Sequence, residues 1–197
     1  MPSEGIELSQ DGSLLTNTEV LRLAGLFVKS GVTKIRLTGG EPTVRKGIIE
    51  LVGTYTFAEF TFLAEFRGGA FNQLKQHGLK SLAMTTNGIA LHRRLPALVE
   101  NGLTHLNLSL DTLDPFKFEI ITRRSGHDAV LRTLDLALQL PIKAIKLNVV
   151  VIKGLNDVEA LDFVELTRHK PISVRFIEFM PFMGLSSLFG ELAPSHS

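Results

Sequence analysis

At 197 residues, 44% of them hydrophobic and 21% charged, the chain is long enough for one sizeable core and short for two comfortable domains. A net charge of +1 makes no case for nucleic acid or an acidic membrane surface as partner, and no apolar run approaches the ~18 residues that span a bilayer. Cysteine is absent, which excludes disulfides and thiolate metal sites built from these residues alone.

The first residues, Met1-Pro2-Ser3-Glu4-Gly5-Ile6-Glu7, are acidic and have no apolar centre. They read as neither a secretory signal nor an Arg-rich transit peptide, but as the inside of a longer protein or an ordinary flexible start. Thr16-x-x-Glu19 has capping-box spacing and opens an apolar series, Val20, Leu23 and Phe27, with Gly31 just past its end. A strand is expected over residues 33–38, and a helix from Pro42, a residue suited to the first helical turn. A second strand over 81–85 ends in the turn Thr86-Asn87-Gly88, and Pro96 starts a helix that stops at Gly102. Then follow a strand over 105–110, helices over 115–122 and 127–140, and a strand over 144–151. Asn156-x-x-Glu159 is expected to open another helix, and residues 173–178 form the last strand.

Repeated strand–helix units with short connections imply a mostly parallel sheet, either doubly wound or a barrel. Side-chain alternation favours the barrel. Ile35 and Leu37 oppose Lys34, Arg36 and Thr38; Leu106, Leu108 and Leu110 oppose Asn107, Ser109 and Asp111; Ile145, Leu147 and Val149 oppose Lys146 and Asn148. A doubly wound sheet is apolar on both faces, whereas a barrel packing helices outside and a polar ligand inside needs one face of each kind. The expected fold is therefore α/β, an incomplete TIM-like (β/α) barrel of about five parallel strands, with ligands at the strands' C-terminal ends. Residues 53–71 interrupt the pattern with five of the 13 Phe and the only Tyr. They read as an insertion between 48–52 and Leu74, or as a lid or partner-binding loop with aromatic anchors.

The blocks Lys34–Arg45 (KIRLTGGEPTVR), Thr85-Thr86-Asn87-Gly88, LNLSLDTL at 106–113, Lys146-Leu147-Asn148, Lys153-Gly154-Leu155-Asn156 and VRFIEFMP at 174–181 occur in one order. Together they resemble the radical S-adenosylmethionine (SAM) GTP 3′,8-cyclases of molybdenum cofactor biosynthesis. The resemblance covers nearly all of residues 1–52 and 72–182. It implies a partial (β/α)6 barrel over 1–182 and a divergent tail over 183–197. It also implies SAM and 4Fe-4S clusters as cofactors, GTP as substrate, a homodimer, and the mitochondrial matrix of eukaryotic relatives. The family binds its first cluster through Cys-x3-Cys-x2-Cys and its second through C-terminal cysteines. Neither set is present, so the chain reads as truncated at both ends, with the first barrel strand missing. By itself it is expected to lack cyclase turnover; a non-catalytic GTP-binding or regulatory fragment is the alternative.

The resemblance carries over residue by residue. Gly39, Gly40 and Glu41 match the turn that receives the amino-acid end of SAM, Glu41 being able to balance its ammonium. Ser109 and Met180 match further SAM contacts. Arg36, Thr85 and Lys146, with Lys34 and Arg175 beside them, match GTP-binding positions. A triphosphate needs several cations, and burying these in a lumen without an anion is costly. No Gly-x4-Gly-Lys-Ser/Thr loop is present, so phosphate binding does not use a P-loop. The six His show no metal-ligand spacing and read as surface or packing residues.

Overall fold

Thr16 caps the first helix as its spacing dictates. The Thr16 hydroxyl accepts the Glu19 N–H at 3.2 Å, and the Glu19 carboxylate accepts the Thr16 N–H at 2.8 Å. The computed structural model describes residues 14–52, 74 and 78–180. The expectations for residues 1–7, 53–71 and 183–197 lie outside the described residues.

Helix α1 (Asn17–Lys29) leads into strand β1 (Lys34–Leu37), a 3-10 turn (Pro42–Val44) and the short helix α2 (Ile48–Val52). Strand β2 (Ser81–Thr86), helix α3 (Leu95–Glu100) and strand β3 (His105–Ser109) follow. Then come helices α4 (Pro115–Thr122) and α5 (His127–Gln139), strand β4 (Ala144–Val151), a 3-10 turn (Asp157–Glu159), helix α6 (Ala160–His169) and strand β5 (Ile172–Glu178). Among the described residues no helix is long and apolar enough to cross a membrane.

The five strands form one sheet in the order β1-β2-β3-β4-β5, every pair parallel. A doubly wound sheet reverses its strand order at a switch point; this one never does, as a barrel wall requires. Leu82, Met84, Leu106, Leu108 and Leu147 on the apolar face are fully buried. At about 1.5–3 kcal/mol for each large apolar side chain removed from water, this face and its helices carry the core.

Three local expectations change. The face of α1 that packs is Ala24 and Val28, whereas Leu23 and Phe27 are exposed. Pro42 opens a 3-10 turn, and the helix starts only at Ile48. Asn156 and Glu159 make no capping box: neither caps a helix with its side chain, and α6 begins at Ala160.

Candidate functional site

The register gathers the expected ligand residues on the polar face of the sheet. Lys34 lies opposite Ser81, and Arg36 opposite Ala83, which faces His105. One row nearer the C-terminal ends, Thr85 faces Asn107, Asn107 faces Lys146, and Lys146 faces Ser173. The next row is Ser109, Asn148 and Arg175. Within the five strands this face carries Lys34, Arg36, Lys146 and Arg175 and no carboxylate. None of the four cations has an ion-pair partner among the described residues. Lys146 is half-buried, but Lys34, Arg36 and Arg175 are exposed, so the expected cost of burying all of them does not arise. What remains is an uncompensated face of like charge, which an anion would neutralise.

The turn after β1 is shaped by two glycines in the left-handed region, Gly39 at φ +96° and Gly40 at φ +49°. A Cβ added at either would meet no atom within 4 Å, so the demand is conformational and open space lies beside the turn. Glu41 fixes this turn to the end of β2. Its Oε1 accepts the Thr43 N–H at 3.0 Å, the Thr43 hydroxyl at 2.7 Å and the Thr86 hydroxyl at 2.7 Å, while Oε2 accepts the Asn87 N–H at 2.8 Å. The carboxylate expected to meet a ligand ammonium therefore already holds four donors of the chain. Glu41→Ala, which strands the buried Thr86 hydroxyl and the Asn87 N–H, is expected to cost about 2–4 kcal/mol in denaturant unfolding. Glu41→Gln, which keeps one carbonyl oxygen, should cost less. A loss below about 0.5 kcal/mol in the alanine variant would remove Glu41 from this role.

The far rim is held from β3. The Asp111 carboxylate accepts the Val150 N–H at 2.8 Å, and burial pushes its ionisation upward against that bond. Asn156 donates to the Asp111 carbonyl at 2.6 Å and the Val150 carbonyl at 2.8 Å and accepts the Ile152 N–H at 2.7 Å, which explains why it caps nothing. Met180, just beyond β5, is exposed.

The fit of each expected cofactor differs. An iron–sulfur cluster is held by thiolates, and the chain has none; nor do three His, Asp or Glu gather as for a metal ion among the described residues. For SAM the residues fit: the open glycine turn, the Ser109 hydroxyl, and beside it Asn148, whose buried Oδ1 has no hydrogen-bond partner. Asn148 was not singled out for a role from the sequence, although its polar side chain in the middle of a strand was the available signal.

Residues 4–167 match the family described as the Radical SAM superfamily. The chain is 55% identical over 184 residues to "GTP 3′,8-cyclase, mitochondrial" of Arabidopsis thaliana, covering 93% of this chain and 43% of that protein. It is 48% identical over 187 residues to molybdenum cofactor biosynthesis protein 1 of Dictyostelium discoideum, covering 93% of this chain and 26% of that protein. The chain thus spans less than half the length of either relative. A crystal structure of Streptococcus suis SuiB bound to S-adenosylmethionine matches 89% of this chain and 36% of its own, with a TM-score of 0.66 at 18% identity, a likeness of fold.

Proposed function

The chain belongs to the radical SAM superfamily, and on that premise we propose that its sheet is the GTP-binding wall of a GTP 3′,8-cyclase barrel. The observation that carries this reading is the set of cations without an ion-pair partner among the described residues, spread over one sheet face whose strands carry no carboxylate there. Arg36 offers a planar fork and Lys34, Lys146 and Arg175 add charge for a triphosphate; Thr85 and Asn107 offer neutral hydrogen bonds nearby. The names and identities of the two relatives support GTP as the anion and molybdenum cofactor biosynthesis as the process. They also favour a mitochondrial compartment, as the name of the Arabidopsis relative states for that protein.

Gly39, Gly40, Ser109 and Met180 would hold SAM, which would supply the hydrogen-abstracting radical of the family's chemistry once cleaved with one electron from an iron–sulfur cluster. The residues here bind and orient; the thiolates that cleavage requires are not among the 197 residues. Cyclase turnover by this chain alone, after anaerobic iron–sulfur reconstitution, would overturn that part of the reading.

Binding is tested by a thermal melt with and without millimolar GTP. Ligand at about a hundred times its dissociation constant adds ~2.7 kcal/mol, which raises the midpoint of a chain this size by roughly 5–10 °C. An unshifted cooperative melt, with no saturable retention of radiolabelled GTP on a filter, would sink the proposal.

A further inference from the structure

His105 opens β3 on the cationic face, opposite Ala83 and Ala144, in the row that begins with Arg36. It has no metal-ligand spacing, and the sequence gives it no role beyond surface or packing. Its surroundings give it one. Thr104 Oγ1 lies 2.8 Å from the Leu82 carbonyl oxygen and 2.7 Å from His105 Nδ1. A hydroxyl has one proton, and a carbonyl can only accept, so that proton points to Leu82. Nδ1 therefore carries the ring hydrogen and donates it to Thr104, which also accepts the Leu82 N–H at 3.0 Å. Nε2 is left with a bare lone pair and no hydrogen-bond partner among the described residues.

The charges around the ring are of one sign. Lys34 and Arg36 approach from β1, Lys143 and Lys146 from the start of β4, and β2 brings only the uncharged Ser81, Ala83 and Thr85 to this face. No carboxylate among the described residues offsets them at the ring. Desolvation, and then Lys34, Lys143, Lys146 and Arg36, hold the imidazole below its ordinary value, so it is neutral at pH 7 in the free chain. A polyphosphate seated on these cations reverses the local field.

We propose that His105 is the proton-linked member of this anion site: seating a nucleoside polyphosphate draws one proton from solvent onto Nε2, which then donates to a phosphate oxygen. The imidazole becomes imidazolium, the Nδ1–H bond to Thr104 is kept, and the ring turns from a lone-pair acceptor into a charged donor without moving. This deepens the GTP reading and rests on it for the identity of the nucleotide, but not for the anion. Its mark is a proton taken up on binding, which a merely structural histidine would not show.

The test is titration calorimetry of the full chain near pH 7, repeated in buffers of different ionisation enthalpy, with GTP and with inorganic tripolyphosphate. The wild type should take up as much as about one proton more per anion than His105→Gln. His105→Gln should bind roughly tenfold more weakly. His105→Arg, a permanent cation, should restore affinity and show no extra uptake. The phosphate's own titration is common to all three proteins and cancels in the difference. Equal uptake in wild type and variants would overturn the proposal while leaving GTP binding intact. Histidine-dependent uptake with tripolyphosphate but no binding of GTP would support the anion site and end the nucleotide reading. Failure of both anions to bind would end both. If His105→Gln does not fold, the comparison with His105→Arg decides alone, because the two differ in proton uptake whatever their affinity.

Discussion

Replacing Arg36 and Lys146 together by alanine is expected to abolish saturable GTP binding and to leave the melting midpoint of the unliganded chain unchanged or raised. A charge-assisted hydrogen bond is worth about 1.5–3 kcal/mol, so losing two weakens binding on the order of 10²- to 10⁴-fold. Stability should not follow, because neither side chain has an ion-pair partner to lose among the described residues and both stand on a sheet face of like charge. Filter binding with radiolabelled GTP and a melt of each variant separate the two effects. A double variant that binds within tenfold of wild type, or one that melts several degrees lower, would show that these cations serve the fold rather than a ligand.

Glu159→Ala is expected to act in the opposite way, on stability. Glu159 accepts the Thr112 hydroxyl at 2.7 Å, the Leu113 N–H at 2.8 Å and the Lys117 ammonium at 2.8 Å, and Thr112 is fully buried. Stranding the hydroxyl and the N–H costs about 1–3 kcal/mol each, a drop of roughly 4–24 °C in midpoint for a chain of this size. The effect should depend on pH. Burial alone would push the Glu159 carboxyl up, but the bonds from Lys117, Thr112 and Leu113 outweigh it and hold the group below its ordinary value. A lowered folded-state value means that the stabilisation is present above the unfolded value and is lost as pH falls through the folded one. The gap between wild type and Glu159→Ala should therefore narrow in acid. Asp111, raised by burial, contributes with the opposite sign, so the acid limb of the wild type alone does not isolate Glu159. A gap that stays constant down to acid pH would remove the carboxylate from this account.

Most of the architecture was legible because strand alternation is a local signal. The run at 144–151 is the clearest case: Ile145, Leu147 and Val149 are buried while Lys146, Asn148 and Val150 are half-buried. Likewise, the barrel-like one-sidedness of the strands matches a consecutive parallel sheet. What the sequence hid were tertiary competitors of local motifs. Asn156 and Glu159 have capping-box spacing, yet Asn156 bonds Asp111, 45 residues away, and Glu159 bonds Thr112, 47 residues away. Pro42 suits a helix start, but Glu41 is drawn to Thr86 and Asn87, and a 3-10 turn follows in its place. The spacing of His105 along the chain gives it no role, because its neighbours are set by register between strands, which residue spacing along one strand does not contain.

Because each strand pairs only with its neighbours in sequence, the sheet has an order of assembly written into its connections. The link from Leu37 to Ser81 is the longest between paired strands, and closing it has the greatest entropic cost; β2, β3, β4 and β5 are joined by shorter ones. Among the described residues strand β1 is also the shortest, pairs on one side only, and has no fully buried side chain. The strand that carries Lys34 and Arg36 is therefore expected to be the last to zip on and the first to come away. An anion bridging Arg36 to Lys146 would act as a clasp across that seam, joining late-formed structure to early-formed structure and slowing its release.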